Sequence, residues 1–129
     1  MKSKSLIALF SLLLAVSVQA KLKVFILAGQ SNMQGAGQVN INPKSHTQGK
    51  GSLEYLMKDP KTAAKFAHLK DKKGEWVVRK DVWIRYDDGQ DGLRPGFGAR
   101  NTTIGPELGF GTIVGDAVEE PVLLIKTCW

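Results

Sequence analysis

Ser31 is the residue whose setting best suits it to act as a nucleophile. It lies in Lys23-Val-Phe-Ile-Leu-Ala-Gly-Gln-Ser-Asn-Met-Gln-Gly35, where an unbroken apolar run ends in Gly29 and the serine follows two residues later. Val24 to Ala28 predict a strand buried on both faces of a parallel sheet. Gly29 permits a sharp bend, which places Ser31 at the carboxyl end of the strand, where open α/β sheets bind ligands. A hydroxyl there can attack an electrophile once a neighbouring base accepts its proton. The same residues also fit a glycine-rich turn with a helix-capping serine.

The remaining chemistry-bearing residues are sparse. Cys128 is the one cysteine, so it has no intramolecular disulfide partner, and its apolar surroundings predict a small buried residue. His46 falls in a polar stretch and His68 at the end of a short helical pattern, and both read as surface residues. No cluster of His, Cys and carboxylates has metal-ligand spacing, and no metal or cofactor is expected. A glycine-containing loop after a strand can cradle an anion, but Gly-x-x-x-x-Gly-Lys-Ser/Thr is absent. Trp76, Trp83 and Tyr86 offer stacking faces to a sugar, the basis of an alternative reading as a non-catalytic carbohydrate-binding or interaction module. Aromatics in alternating strands are more often core.

The elements that must position these residues follow from patterning. Gln34 to Gly51 is polar and predicts a long loop, and Leu53 to Met57 one apolar turn. Asp59-Pro60 predicts a helix start, with a short helix over Thr62 to Leu69 and a turn over Asp71 to Gly74. Glu75 to Tyr86 is rich in β-branched and aromatic residues and predicts one or two strands. Asp87 to Asn101 predicts an irregular loop. Thr103 or Gly105 caps a helix in which Pro106 takes the first turn and Glu107 favours the helix dipole, and which continues through Val118. Gly109, Gly111 and Gly115 weaken that helix and suggest close packing on a sheet. Val122 to Lys126 predicts a second buried strand. Strand, insertion, helix and strand make a right-handed βαβ crossover.

The 129 residues begin with a basic segment (Lys2, Lys4), an apolar Leu6 to Val16 and the small-residue site Val18-Gln19-Ala20. This predicts a signal peptide over residues 1–20, cut after Ala20, and a secreted or periplasmic product. The rest, 21–129, leaves room for one small domain or part of one. The formal charge is +6, and +4 without Lys2 and Lys4. The basic residues are scattered, which argues against a nucleic-acid stripe, and no second long apolar run suggests a membrane partner after signal cleavage.

Phe25-Ile-Leu-Ala-Gly-Gln-Ser-Asn-Met33 resembles the first block of the sialate O-acetylesterase-like branch of the SGNH/GDSL hydrolases, a branch similar to the acetylxylan esterases of carbohydrate esterase family six. Ile104-Gly-Pro-Glu-Leu-Gly-Phe-Gly111 resembles the next block, and Glu120-Pro-Val-Leu-Leu-Ile-Lys-Thr-Cys-Trp129 the strand before that branch's Trp-Gly-Gly turn. The resemblance implies a partial SGNH-type (flavodoxin-like) three-layer α/β/α domain with a parallel sheet, truncated after the second core strand. It implies a serine esterase that removes acetyl or similar acyl groups from a carbohydrate. Ser31 aligns with the nucleophile, and its N–H would be one oxyanion donor. Gln30 and Asn32 flank it and would orient the loop or contact substrate. Glu107 matches the acidic residue of the family's Gly-Pro-Glu.

One departure weighs against activity. The family's base is a histidine close after an acidic residue, as Asp-x-x-His, whereas Pro43 and Lys65 stand three residues before His46 and His68. The chain by itself is therefore expected to have little or no esterase activity. Missing sheet neighbours are expected to leave apolar edges and faces exposed and to favour aggregation.

Overall fold

A computed structural model describes residues 21–129; the expected signal peptide over residues 1–20 lies outside the described residues. The sheet has strand order β1-β6-β3-β4. Strand β1 (Lys23–Gly29) pairs in parallel with β6 (Val122–Cys128), and β6 pairs in parallel with β3 (Val82–Tyr86). The parallel core is thus three strands, one more than the two foreseen. β4 (Gly89–Gly92) adds an antiparallel edge. It closes a two-residue hairpin through Asp87 and Asp88, where Asp87 takes the left-handed φ of 53° that such turns require. The stretch expected to be an irregular loop therefore starts as a strand.

The helix that crosses from β3 to β6 is α4 (Pro106–Ala117), capped by Gly105 with Pro106 in its first turn, as the Gly-Pro-Glu pattern foretold. It covers one sheet face. Val82, Ile84, Leu108, Val122 and Leu124 are buried there, and Phe110 meets Phe25 edge-to-face at 5.4 Å. Gly111 and Gly115 let α4 sit down on the strands. A Cβ on Gly111 would stand 2.7 Å from Leu124, and one on Gly115 2.3 Å from Val82. Gly109 has open space around it and no such reason.

The other face of the sheet is bare among the described residues. Val24 is 50% exposed, Ile26 69% and Trp83 41%. This corrects the expectation of a β1 buried on both faces: β1 is an edge strand here, with only Phe25 and Leu27 turned to the core. Two of the three expected layers are present, and the apolar run reads as the half of a strand made to be covered twice. Ile26→Lys should leave stability within about 0.5 kcal/mol, because the side chain touches water already, and should raise the soluble fraction. Urea unfolding and soluble yield measure both; a larger stability loss would mean that the face is covered in solution.

Between β1 and β3 the chain runs along one side of α4. A four-residue turn, α1 (Ser31–Gln34), leads to β2 (Gly37–Gln38), which pairs antiparallel with β5 (Thr103–Ile104). The apolar turn α2 (Leu53–Lys58) is capped by Ser52, whose Oγ accepts the Tyr55 N–H at 3.3 Å. Asp59 ends α2 instead of starting the next helix. Its carboxylate accepts the Lys61 N–H at 2.9 Å, and α3 (Ala63–Phe66) begins only after Thr62. A 3-10 turn at Ala67–Leu69 completes the short helical run. Of the aromatic stretch Glu75 to Tyr86, only Val82–Tyr86 joins the sheet. Trp76 makes a single bridge with Lys70, whose ammonium stands 4.4 Å from the indole ring centre.

Arg79 pins the amino end of β3 to the carboxyl end of α4 through ion pairs with Asp81 and Asp116. The hydrogen bond from Arg79 is the main reason that the Asp81 carboxyl is held below its ordinary value of 3.8. A carboxyl with a lowered folded pKa stabilises the fold above its unfolded pKa, and that contribution is lost as pH falls through the folded value. Stability should therefore decline below about pH 4, and Asp81→Asn should flatten that part of the profile. Urea midpoints across the acid range give the slope.

Candidate active site

Gly29 pairs with Cys128 at the carboxyl ends of β1 and β6. The chain then bends at Gln30 and turns once through α1, with Gln34 N–H bonded to Gln30 O and Gly35 N–H to Ser31 O, both at 2.9 Å. Ser31 is exposed at the first position of that turn. The N-cap is Gln30, and its side chain makes no capping bond. The capping reading of Ser31 therefore does not hold. The N–H groups of Ser31, Asn32 and Met33 precede the first bond of the turn and have no partner within it. Asn32 and Gln30 are exposed beside Ser31.

The turn is held by close backbone contact with the start of α4. Gly35 has φ +80°, and a Cβ on it would lie 2.2 Å from Gly105 Cα. A Cβ on Gly105 would in turn lie 2.9 Å from Met33 O and 3.0 Å from Gln34 O. Gly35 O also accepts the Ala99 N–H at 2.8 Å. Glycine at 35 and 105 is what allows two backbones to touch here.

Beneath the turn lies a buried ion pair. Glu107 and Lys126 are both fully buried and 2.7 Å apart. Lys126 Nζ uses each of its three donors: on Glu107 Oε2, on Gln34 O at 2.8 Å and on Phe97 O at 2.6 Å. It also stands 4.7 Å from the Tyr86 ring centre. Glu107 Oε1 accepts the Gly105 N–H at 2.8 Å. One ammonium thus ties together the last residue of the Ser31 turn, the Phe97 loop and the first turn of α4. Glu107 is a buried acceptor, well beyond a helix-dipole role, and does not contact Ser31 directly. Lys126 escaped the sequence reading. Its signal was the alternation Val122, Leu124, Lys126, which puts a lysine on the buried face of β6.

A polar cavity of about 290 Å³ opens at this end of the sheet, lined by Gln34, Tyr86, Asp87, Lys126, Thr127 and Cys128. Cys128 is half-buried, and its thiol donates to the Tyr86 hydroxyl at 3.4 Å. That contact and partial burial hold the Tyr86 phenol above its ordinary value. Neither histidine joins this group. His46 is exposed in the loop before α2. His68 is exposed in the 3-10 turn and lines two other cavities, with Leu69, Leu108 and Thr112 beside α4. Among the described residues no group of three or more His, Cys, Asp and Glu is placed to hold a metal ion.

Comparison with the curated proteins and with the solved structures gave no match. A family model described as carbohydrate esterase, sialic acid-specific acetylesterase, matches residues 21–128 and so takes in the Ser31 turn, the Gly105–Glu107 helix start and the strand that carries Lys126. The chain belongs to this family of carbohydrate esterases.

Proposed function

We propose that Ser31 is the nucleophile of an acyl transfer that removes an acetyl group from a carbohydrate. The observation that carries this is the state of Ser31: exposed, relieved of any capping duty, and set at the carboxyl end of β1 on a turn whose first N–H groups have no partner within it. Its Oγ attacks the ester carbonyl and its proton passes to a base. The carbonyl oxygen becomes an oxyanion, to which the Ser31 N–H donates. Collapse expels the sugar hydroxyl and leaves an acetyl-serine that water clears. Gln30 and Asn32 flank Ser31 and orient the loop or contact the sugar. The family description names sialic acid as the sugar class, and an acetylated sialic acid is the substrate this reading favours. The enzyme uses no cofactor and acts outside the cytoplasm once residues 1–20 have been removed.

No histidine stands with Ser31 among residues 21–129, so these residues alone should be poor catalysts. Their turnover of a nitrophenyl acetate ester should be at least about 10⁴-fold below that of the same domain supplied with a histidine base, since losing a triad member costs about that much. His46→Ala and His68→Ala should leave the residual rate unchanged. A fluorophosphonate probe tests the nucleophile itself. With the base supplied, it should label Ser31, and Ser31→Ala should abolish labelling; labelling that survives the substitution rules out Ser31.

The alternative of an aromatic sugar-binding platform finds less support. Trp83 and Tyr86 stand three residues apart on β3 and so project from opposite faces, and Trp76 lies outside the sheet against Lys70.

A further inference from the structure

Gly109 is the glycine of α4 that packing does not explain. A Cβ there would meet nothing within 4 Å, whereas those on Gly111 and Gly115 would collide with side chains of the sheet. Glycine inside a helix costs stability relative to alanine, and one use that offsets the cost is the close approach of a ligand to the backbone. Ile113, four residues on and therefore on the same side of the helix, is 71% exposed.

Gly109 and Ile113 both line an apolar cavity of about 390 Å³. Leu53 of α2, Phe66 of α3, Leu69 of the 3-10 turn and Ile104 of β5 line it from the neighbouring elements, and Leu108 joins them from α4. Leu53, Leu69 and Leu108 are buried. The elements are tied to their surroundings. Thr62 Oγ1 donates to Leu56 O at 2.6 Å, which links the start of α3 to α2, and the Val77 N–H donates to Leu69 O at 2.9 Å. The hydroxyl in the lining, on Thr112, is committed to Leu108 O at 2.7 Å. The cavity therefore suits an apolar body. Its volume is at the small end for ligand cavities, enough for a ring and a short chain.

The charged part of the lining has one sign. Lys65 and His68 stand three residues apart on the helical run from α3 into the 3-10 turn and are neighbours there. No carboxylate lines the cavity, and neither side chain has an ion-pair partner among the described residues. Both are exposed. Their pull on an anion is therefore screened and modest, and the apolar lining carries most of the affinity. None of residues 30–34 lines the cavity, so it is separate from the Ser31 turn and independent of the esterase reading.

We propose that this cavity binds a small apolar monocarboxylate, its ring or alkyl body against Leu53, Phe66 and the bare backbone at Gly109, its carboxylate at Lys65 and His68. Glycine at 109 keeps the slot open, because a side chain there would occupy it.

The test is calorimetric titration of the purified chain with cinnamate and with cinnamyl alcohol, which has the same body and no charge. Both should bind, the acid about three- to fivefold tighter at low salt, and that advantage should shrink at high salt. Amide shifts should cluster at residues 65–69 and 104–113. Gly109→Leu should weaken both probes by about tenfold or more. Gly109→Ala has room for its methyl group, so it should raise the urea midpoint and weaken both probes less, which keeps the test open if the leucine variant fails to fold. Lys65→Gln combined with His68→Gln should erase the advantage of the acid and leave the alcohol unchanged. No binding of either probe, equal affinities at low salt, or a folded Gly109→Leu that binds normally would each overturn the site. So would shifts centred on Val24 and Ile26, or a concentration-dependent dimer that protects Ile113, which would make a second copy the occupant.

Discussion

Lys126→Met should destabilise the domain by about 3–5 kcal/mol, because it leaves the Glu107 carboxylate buried without its counter-charge. It also strips donors from Gln34 O and Phe97 O. With a total stability of about 5–15 kcal/mol expected for a domain of this kind, the variant stands close to unfolding. Urea denaturation of the two proteins gives the difference. The effect belongs to breaking the pair, not to the pair's net worth. The double change Glu107→Leu with Lys126→Met removes both charges and should recover much of the loss. Lys126→Arg keeps the charge but offers a planar fork to three acceptors arranged around a single ammonium, and should recover little. A Lys126→Met loss below about 1 kcal/mol would mean that water reaches the pair.

Gly35→Ala should cost more than about 3 kcal/mol and should displace Ser31 as well. Two effects add. The backbone stands at φ +80°, a region costly to any residue with a Cβ, and that Cβ would fall 2.2 Å from Gly105 Cα and 2.6 Å from Ile104 O. Neither obstacle is a flexible side chain, so the turn and the start of α4 must part. Gly51→Ala is the control. Gly51 has nearly the same φ, +84°, with nothing near its absent Cβ, so it should show the backbone cost alone, about 1–2 kcal/mol. The difference between the two variants measures the contact between the Ser31 turn and the helix. Equal losses would show that the contact carries no energy. Fluorophosphonate labelling of the Gly35 variant, with base supplied, should fall along with its stability, whereas the Gly51 variant should label normally.

Much of what positions the site can be read from local residue chemistry. Val24 to Gly29 as a strand ending in a bend, Gly105-Pro106-Glu107 as a helix start, and Val122 onward as a returning strand each depend on neighbours in sequence. Features that depend on distant partners were less legible. Asp59-Pro60 carries a good helix-start signal, yet Asp59 closes α2, because the preceding apolar turn is already committed by the Ser52 cap. The antiparallel β4 is polar and glycine-rich, with no apolar alternation; only its pairing with β3 makes it a strand. β1 has the composition of an interior strand and stands at an edge, since burial depends on what lies beside a strand and composition records only what the strand tolerates. In the site, Ser31 and Glu107 were visible as motif positions. The role of Glu107 was not, because it is defined by Lys126, a partner 19 residues away. The anchoring of the turn by Lys126 spans 92 residues and leaves no trace in either segment alone.

That span bears on how the chain matures. The strand that contributes Lys126 emerges after the other elements described above, and β1 pairs with it from the first register at Lys23↔Val122. Such far-separated parallel pairing forms late, after the cost of closing the intervening loop has been met. A nascent chain halted before residue 126 should therefore expose a serine segment still exchanging among conformations, competent for neither labelling nor sugar capture. The serine turn would be fixed only when β6 docks, so ordering of the nucleophile and the far-separated pairing of β1 become one event.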